Sequence, residues 1–213
     1  MSAIVIATRN AAKLAEMRGL LAGAGVEVRG LEDADGAPPV VEDGDSFEAN
    51  AAKKAESCAE ATGRVSVADD SGLVVDALGG GPGVLSARYA GVDGDHAANN
   101  AKLLAELRGV PEGRRTARFV CVVAVAAPGR KTAFFRGECE GIVAAEPRGG
   151  GGFGYDSLFY SPLIGRTFAE APGEKSRISH RARALGAFRE ALSAGRFDEW
   201  FRTLGGRGGN GGR

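Results

Sequence analysis

Five short segments carry side chains whose types and spacing could do chemistry. The first is Thr8-Arg9-Asn10-Ala11-Ala12-Lys13, where a short apolar run gives way to a helical pattern. A helix N-terminus offers backbone N–H groups without intrahelical acceptors and the positive end of a dipole, both suited to phosphate. Thr8 and Asn10 add side-chain donors, and Lys13 adds a formal charge. Taken alone, the segment is equally an N-cap followed by a surface lysine. It is not a P-loop, because GxxxxGKS/T occurs nowhere in the chain. The second segment groups Glu42, Asp43 and Asp45 ahead of Lys53 and Lys54. The third is the pair Asp69-Asp70, followed by Ser71-Gly72. Adjacent carboxylates repel unless a cation or a lysine lies between them. Hard oxygen donors of this kind suit Mg²⁺, which takes one or two carboxylates and fills its other positions with water and phosphate. A solvated acidic turn is the plainer alternative.

The fourth segment is Gly149-Gly150-Gly151-Gly152-Phe153-Gly154-Tyr155-Asp156. Glycines 149, 151 and 154 satisfy GxGxxG, but the dinucleotide fingerprint must follow a strand and open a helix. Here the following residues, to Tyr160, read as strand, so a Rossmann site is rejected. Phe153 is instead available to stack on a base. Alternatively, Phe153 and Tyr155 are core residues and the glycines form a tight turn. The fifth segment, Lys175-Ser176-Arg177-Ile178-Ser179-His180-Arg181, leads into a helical pattern and offers donors to a base edge or a phosphate. A single histidine at such a place is more often structural.

These segments fall at the ends of predicted elements. Ala3–Ala7 reads as a buried strand, and Asn10 caps a helix with Leu14, Met17 and Leu21 on one face, ending near Gly23 or Gly25. Val26–Leu31 is a second strand. Asp45 with Glu48 three residues later reads as a capping box for a helix running toward Gly63. Val65–Ala68 is a short strand with the aspartate pair at its end, and Asp95 opens a helix to Arg108. Thr116–Ala126 and Thr132–Val143 flank Pro128-Gly129 as an antiparallel hairpin. Ile178, Ala182, Leu185 and Leu192 mark the buried stripe of one final helix. Parallel-type and hairpin signals together indicate an α/β protein with a mixed sheet.

With 44% hydrophobic and 25% charged residues, the 213-residue chain has the balance of a globular domain, expected to be single over 1–200. Its 27 basic and 27 acidic residues cancel, and only 7% of the chain is aromatic, which argues against a nucleic-acid partner. The apolar run Phe119–Ala127 is too short to span a bilayer, so no membrane association is expected. No basic-then-apolar leader is read at the N-terminus. Cys58, Cys121 and Cys139 form no CxxC pair, which points away from a disulfide framework and toward a reducing cytoplasm. The stretch 205–213, rich in glycine and arginine, has nothing apolar to bury and is expected to be a disordered tail.

In this order the segments resemble the inosine-triphosphate pyrophosphatase (Ham1-type) family, through IATRNAAKLAEM, SFEANAAKKA, VADDSGLVVDALGGGPGVLSARYAG, GGFGYDSLFY and EKSRISHRARAL. The resemblance runs from Ile4 to about Leu192, and its DDSGL…SARYAG portion is the most specific. It implies an elongated mixed sheet flanked by helices, with two lobes and the active-site cleft between them, as in ITPase-like and Maf-like folds. It implies a homodimer and Mg²⁺-dependent cleavage of ITP, dITP and XTP between the α- and β-phosphates, cleansing the nucleotide pool. By resemblance, Thr8 to Lys13 bind the triphosphate, Lys54 steadies it, and Asp70 takes the proton of the attacking water. Glu42, Asp69 and Asp70 form the acidic metal site, and Ser71 contacts substrate. Phe153, Gly154, Tyr155, Asp156, Lys175, His180 and Arg181 enclose the base, whose six-position oxygen would accept from backbone N–H groups or Arg181. The chain departs from the common pattern at Arg9, often a small residue, Ala49, often Glu, and Ser157, often Pro. A broader Maf-like nucleotide pyrophosphatase and a non-catalytic nucleotide sensor are the rival readings; the FGYD and SHR segments oppose the first and the aspartate pair opposes the second.

Overall fold

The computed structural model describes residues 2–34 and 37–205. Its strands are β1 (Ala3–Ile6), β2 (Glu27–Arg29), β3 (Val65–Val75), β4 (Thr116–Ala126), β5 (Ala133–Val143), β6 (Phe159–Ser161) and β7 (Arg166–Thr167). Its α-helices are α1 (Ala11–Leu21), α2 (Phe47–Thr62), α3 (His96–Glu106), α4 (Pro172–Ile178), α5 (His180–Ser193) and α6 (Asp198–Gly205). The strands form one seven-stranded sheet in the order β2-β1-β3-β4-β5-β6-β7. β1 is parallel to both β2 and β3, whereas β5–β6 and β6–β7 are antiparallel, so the sheet is mixed. The connection 127–132 between neighbouring β4 and β5 leaves no room for the crossover a parallel pair requires.

Local chemistry sets the helix ends. The Asn10 side chain accepts the Lys13 N–H at 3.0 Å and so caps α1, and Asp95 does the same for Ala98 in α3. The start of α2 differs from the expected Asp45 capping box: Ser46 is the cap, its Oγ accepting the Ala49 N–H. Gly63, at φ +64°, ends α2 in the left-handed conformation that a β-carbon disfavours. The expected single last helix divides at Ser179, whose extended backbone separates α4 from α5. Of the segment 205–213, Gly205 closes α6, and residues 206–213 lie outside the described residues.

Two compact units divide the chain. The first takes the chain through Asp70, Val122–Arg136 and the part from Ala184 on. It buries Ile4, Val5 and Ile6 completely and packs Phe135, Phe188, Phe197 and Trp200 edge to face or tilted, with ring centroids 4.8–6.3 Å apart. The second comprises Ser71–Cys121 and Gly137–Arg183. Its core gathers Leu73, Val75, Leu103, Phe119, Phe159 and Phe168, with Phe119 and Phe159 centroids 4.6 Å apart. All three cysteines are buried, and none is joined in a disulfide. No described helix is long and apolar enough to cross a membrane.

Candidate active site

β3 does not stop at Ala68 but runs on to Val75, which puts Asp69 and Asp70 at mid-strand rather than at a strand end. Polar side chains interrupted the apolar pattern, yet the backbone ladder is indifferent to them. Both carboxylates are buried, Asp69 at 2% and Asp70 at 6% exposure. Consecutive strand residues point to opposite faces, and the two take different cations. Lys13, in the first turn of α1, places Nζ 3.4 Å from Asp69 Oδ2. Lys54, in α2, places Nζ 2.8 Å from Glu42 Oε2 and 3.7 Å from Asp70 Oδ1. Its neighbour Lys53 instead pairs with exposed Asp43 at 2.6 Å. Thr8 Oγ1 accepts the Asn10 N–H at 3.2 Å, shaping the turn into α1, where Ala11 and Ala12 are exposed. Arg9 turns outward and donates to the Ala37 carbonyl at 3.4 Å.

Three carboxylates, Glu42, Asp69 and Asp70, thus share two lysines. Burial drives the Asp70 carboxyl up to about 6, and Glu42 adds to that rise; Lys54, Lys13 and a hydrogen bond from Asn50 oppose it. Burial also works against the Lys54 charge, but Asp69, Asp70 and Glu42 outweigh it and lift the ammonium above its ordinary value. Among the described residues no three His, Cys, Asp or Glu side chains converge as a ready-made metal cage. The donor set is all carboxylate oxygen and short of positive charge. That fits a hard, largely hydrated divalent cation held by one or two carboxylates together with phosphate.

The second unit holds the remaining candidates. Phe153 to Leu158 form turns rather than the expected strand, and β6 starts only at Phe159. Asp156 is the reason: its Oδ2 accepts the Phe153 N–H at 2.9 Å and the Lys175 ammonium at 2.6 Å. Gly152, at φ +74°, lies so close to that carboxylate that a β-carbon would collide with it. Lys175 also sits 4.7 Å from the centroid of half-buried Phe153, a cation–π contact. Tyr155 is buried in the core and its hydroxyl donates to the Ser86 carbonyl at 2.9 Å. The Gly154 carbonyl accepts from Asn100 Nδ2 at 3.1 Å. Arg181, 2% exposed, donates to Ser71 Oγ at 2.9 Å, and the His180 ring stacks on Phe119 at 4.7 Å.

Thr8 to Lys13, Glu42, Lys54, Asp69 and Asp70 therefore belong to the first unit, and Ser71, Phe153 to Asp156, Lys175, His180 and Arg181 to the second. Sequence reasoning missed Asn50, Ser86 and Asn100. Asn50 follows Ala49 inside the SFEANAAKKA segment, but nothing in that segment marks it as the polar residue that turns inward.

A family model described as the Ham1 family matches residues 4–191. A dITP/XTP pyrophosphatase from Geobacillus kaustophilus is 54% identical over 209 residues, 98% of each chain. One of the same name from Shouchella clausii is 50% identical, covering 90% of this chain and 97% of its own. A Ham1 protein structure from Coxiella burnetii superposes with a TM-score of 0.84 at 40% identity, covering 91% of this chain and all of that one.

Proposed function

The chain belongs to the Ham1 family, and from that premise we propose that it hydrolyses non-standard purine nucleoside triphosphates, ITP, dITP and XTP, to the monophosphate and pyrophosphate. The observation that carries this reading is the buried Asp69-Asp70 pair with Lys13 and Lys54 against it. The names borne by the Geobacillus and Shouchella relatives support the substrate class.

The first turn of α1, with Thr8, Asn10 and Lys13, receives the phosphates through backbone N–H groups and charge. Lys54 leaves its bond to Glu42 in part to neutralise the departing pyrophosphate. Asp70, ionised, accepts the proton of a water that attacks the α-phosphate as the bond to the β-phosphate breaks, a role worth ~10²–10⁴-fold. Glu42, Asp69 and Asp70 would hold Mg²⁺. When bound, that ion supplies further neutralisation of phosphate charge.

Base recognition falls to the second unit. Phe153 stacks on the purine, on a loop fixed from behind by Tyr155 and Asp156. Arg181, His180 and Lys175 supply donors for the six-position oxygen, and Ser71 a substrate contact. Adenine presents an amino group there, so those donors would be left unpaired; discrimination of this kind reaches ~10⁴-fold. The family resemblance brings with it a homodimer in the cytoplasm, and sedimentation velocity tests the assembly state.

The test is pyrophosphate release from ITP, dITP, XTP, ATP, GTP and dUTP, with Mg²⁺ and with EDTA. We expect rapid, Mg²⁺-dependent turnover of the first three. Equal rates on all six would remove the base selectivity, and binding without turnover of any would turn the reading toward a nucleotide sensor.

A further inference from the structure

One buried polar side chain in the acidic cluster has no part in the chemistry above. Asn50 lies in α2 at 1% exposure, and both arms of its amide are engaged within the protein. Its Oδ1 accepts the Gly44 N–H at 2.8 Å, and its Nδ2 donates to Asp70 Oδ2 at 3.1 Å. A backbone N–H can only donate, so it holds the amide oxygen toward Gly44, and the amide nitrogen must then face Asp70. Glycine at 44 permits the approach, since a β-carbon there would stand 2.7 Å from Asn50 Oδ1 and 2.9 Å from the Ala49 β-carbon. One amide therefore ties together the loop that follows Glu42 and the strand that carries Asp70.

We propose that Asn50 is a positioning residue for hydrolysis: it fixes the rotation of the Asp70 carboxylate by engaging Oδ2, leaving Oδ1 as the oxygen that receives the proton of the attacking water. This rests on the reading of Asp70 as the general base. Oδ1 is also the oxygen nearest Lys54, 3.7 Å away. A carboxylate free to rotate spends less time aligned on the water, and misalignment of this order costs rate rather than binding.

Asn50→Asp is the informative change. It keeps size and an acceptor for the Gly44 N–H but sets a second carboxylate against Asp70. Steady-state pyrophosphate release from XTP should show kcat lowered by ~10–100-fold with KM within about twofold. Because Asn50 acts through Asp70, the same change made in Asp70→Asn should lower the residual rate no further. A kcat within twofold of the parent, with Asp70→Asn inactive, overturns the role of Asn50 and leaves the proposed reaction standing. Loss expressed equally in kcat and KM, or full additivity with Asp70→Asn, also overturns it. A fully active Asp70→Asn overturns the general base itself, and Asn50's role with it. If Asn50→Asp does not fold, Gly44→Ala, which displaces the amide without adding charge, must show the same kcat-only loss; normal kcat in that variant overturns the proposal.

Discussion

The acidic cluster on β3 and the aromatic–basic cluster around Asp156 both bury charge, and they settle it differently. Around Asp156, the carboxylate takes a 2.6 Å bond from Lys175 and a 2.9 Å bond from the Phe153 N–H, while Arg181 is engaged by Ser71. Around Asp70, three carboxylates share two lysines, and burial lifts the Asp70 carboxyl to about 6. A recognition surface benefits from groups held in place before the ligand arrives, because ordering is then not a cost of binding. A phosphate and cation site benefits from charge that only its ligands complete. The first cluster is thus built for the complex and the second for the free protein.

The sharpest way to break this contrast is to neutralise one carboxylate in each. Asp70→Asn should lower kcat by ~10²–10⁴-fold on XTP without weakening the fold. Asp156→Ala should do the reverse first: it strands a buried ammonium and a loop N–H, a loss of about 3–5 kcal/mol in urea unfolding. If Asp156→Ala unfolds at the parental urea midpoint, the pair is not the structural element described here.

A smaller effect separates stacking from packing. Phe153→Ala removes a half-buried ring from a loop whose backbone is held by Asp156, so KM for XTP should rise roughly tenfold with kcat little changed; base–aromatic stacking of about 1–3 kcal/mol sets the scale. Phe153→Trp should restore KM. An unchanged KM in Phe153→Ala would assign the ring to packing alone.

The same contrast governs what could be read from the sequence. The caps at Asn10 and Asp95, the Gly63 stop and the two long strands β4 and β5 follow from local chemistry, and the sequence patterns placed them closely. Failures came where side chains far apart in the chain decide the backbone. β3 looked finished at Ala68 because two aspartates follow, yet Lys13 and Lys54, from two different helices, supply the charge that lets the strand continue. Residues 153–158 looked like strand because aromatics alternate there, but Lys175, from the later helix α4, fixes the Asp156 carboxylate that bonds back to Phe153 and folds them into turns. The candidate residues themselves were legible by type. The partner of Asp70 was not, because nothing local to SFEANAAKKA says which polar residue turns inward, and Asn50 is found only through its bonds to Gly44 and Asp70.

The smallest predicted effect is the most direct test of charge left unsettled. Asp70 has a folded-state value of about 6 against 3.8 for an unperturbed aspartate, so between those pH values the folded protein holds more proton than the unfolded chain. Stability linked to this group is therefore fully present below about pH 3.8 and lost as pH rises through 6. In metal-free protein, Asp70→Asn escapes that loss. It should melt above the parent at pH 7.5 by a few degrees, given roughly 2–4 °C per kcal/mol for a chain of this size. At pH 4.5 the gap should shrink toward zero. A gap that is constant with pH, or an Asp70→Asn protein that melts below the parent at pH 7.5, would mean that Lys13, Lys54 and Asn50 already compensate the carboxylate, and the two clusters would then obey the same rule.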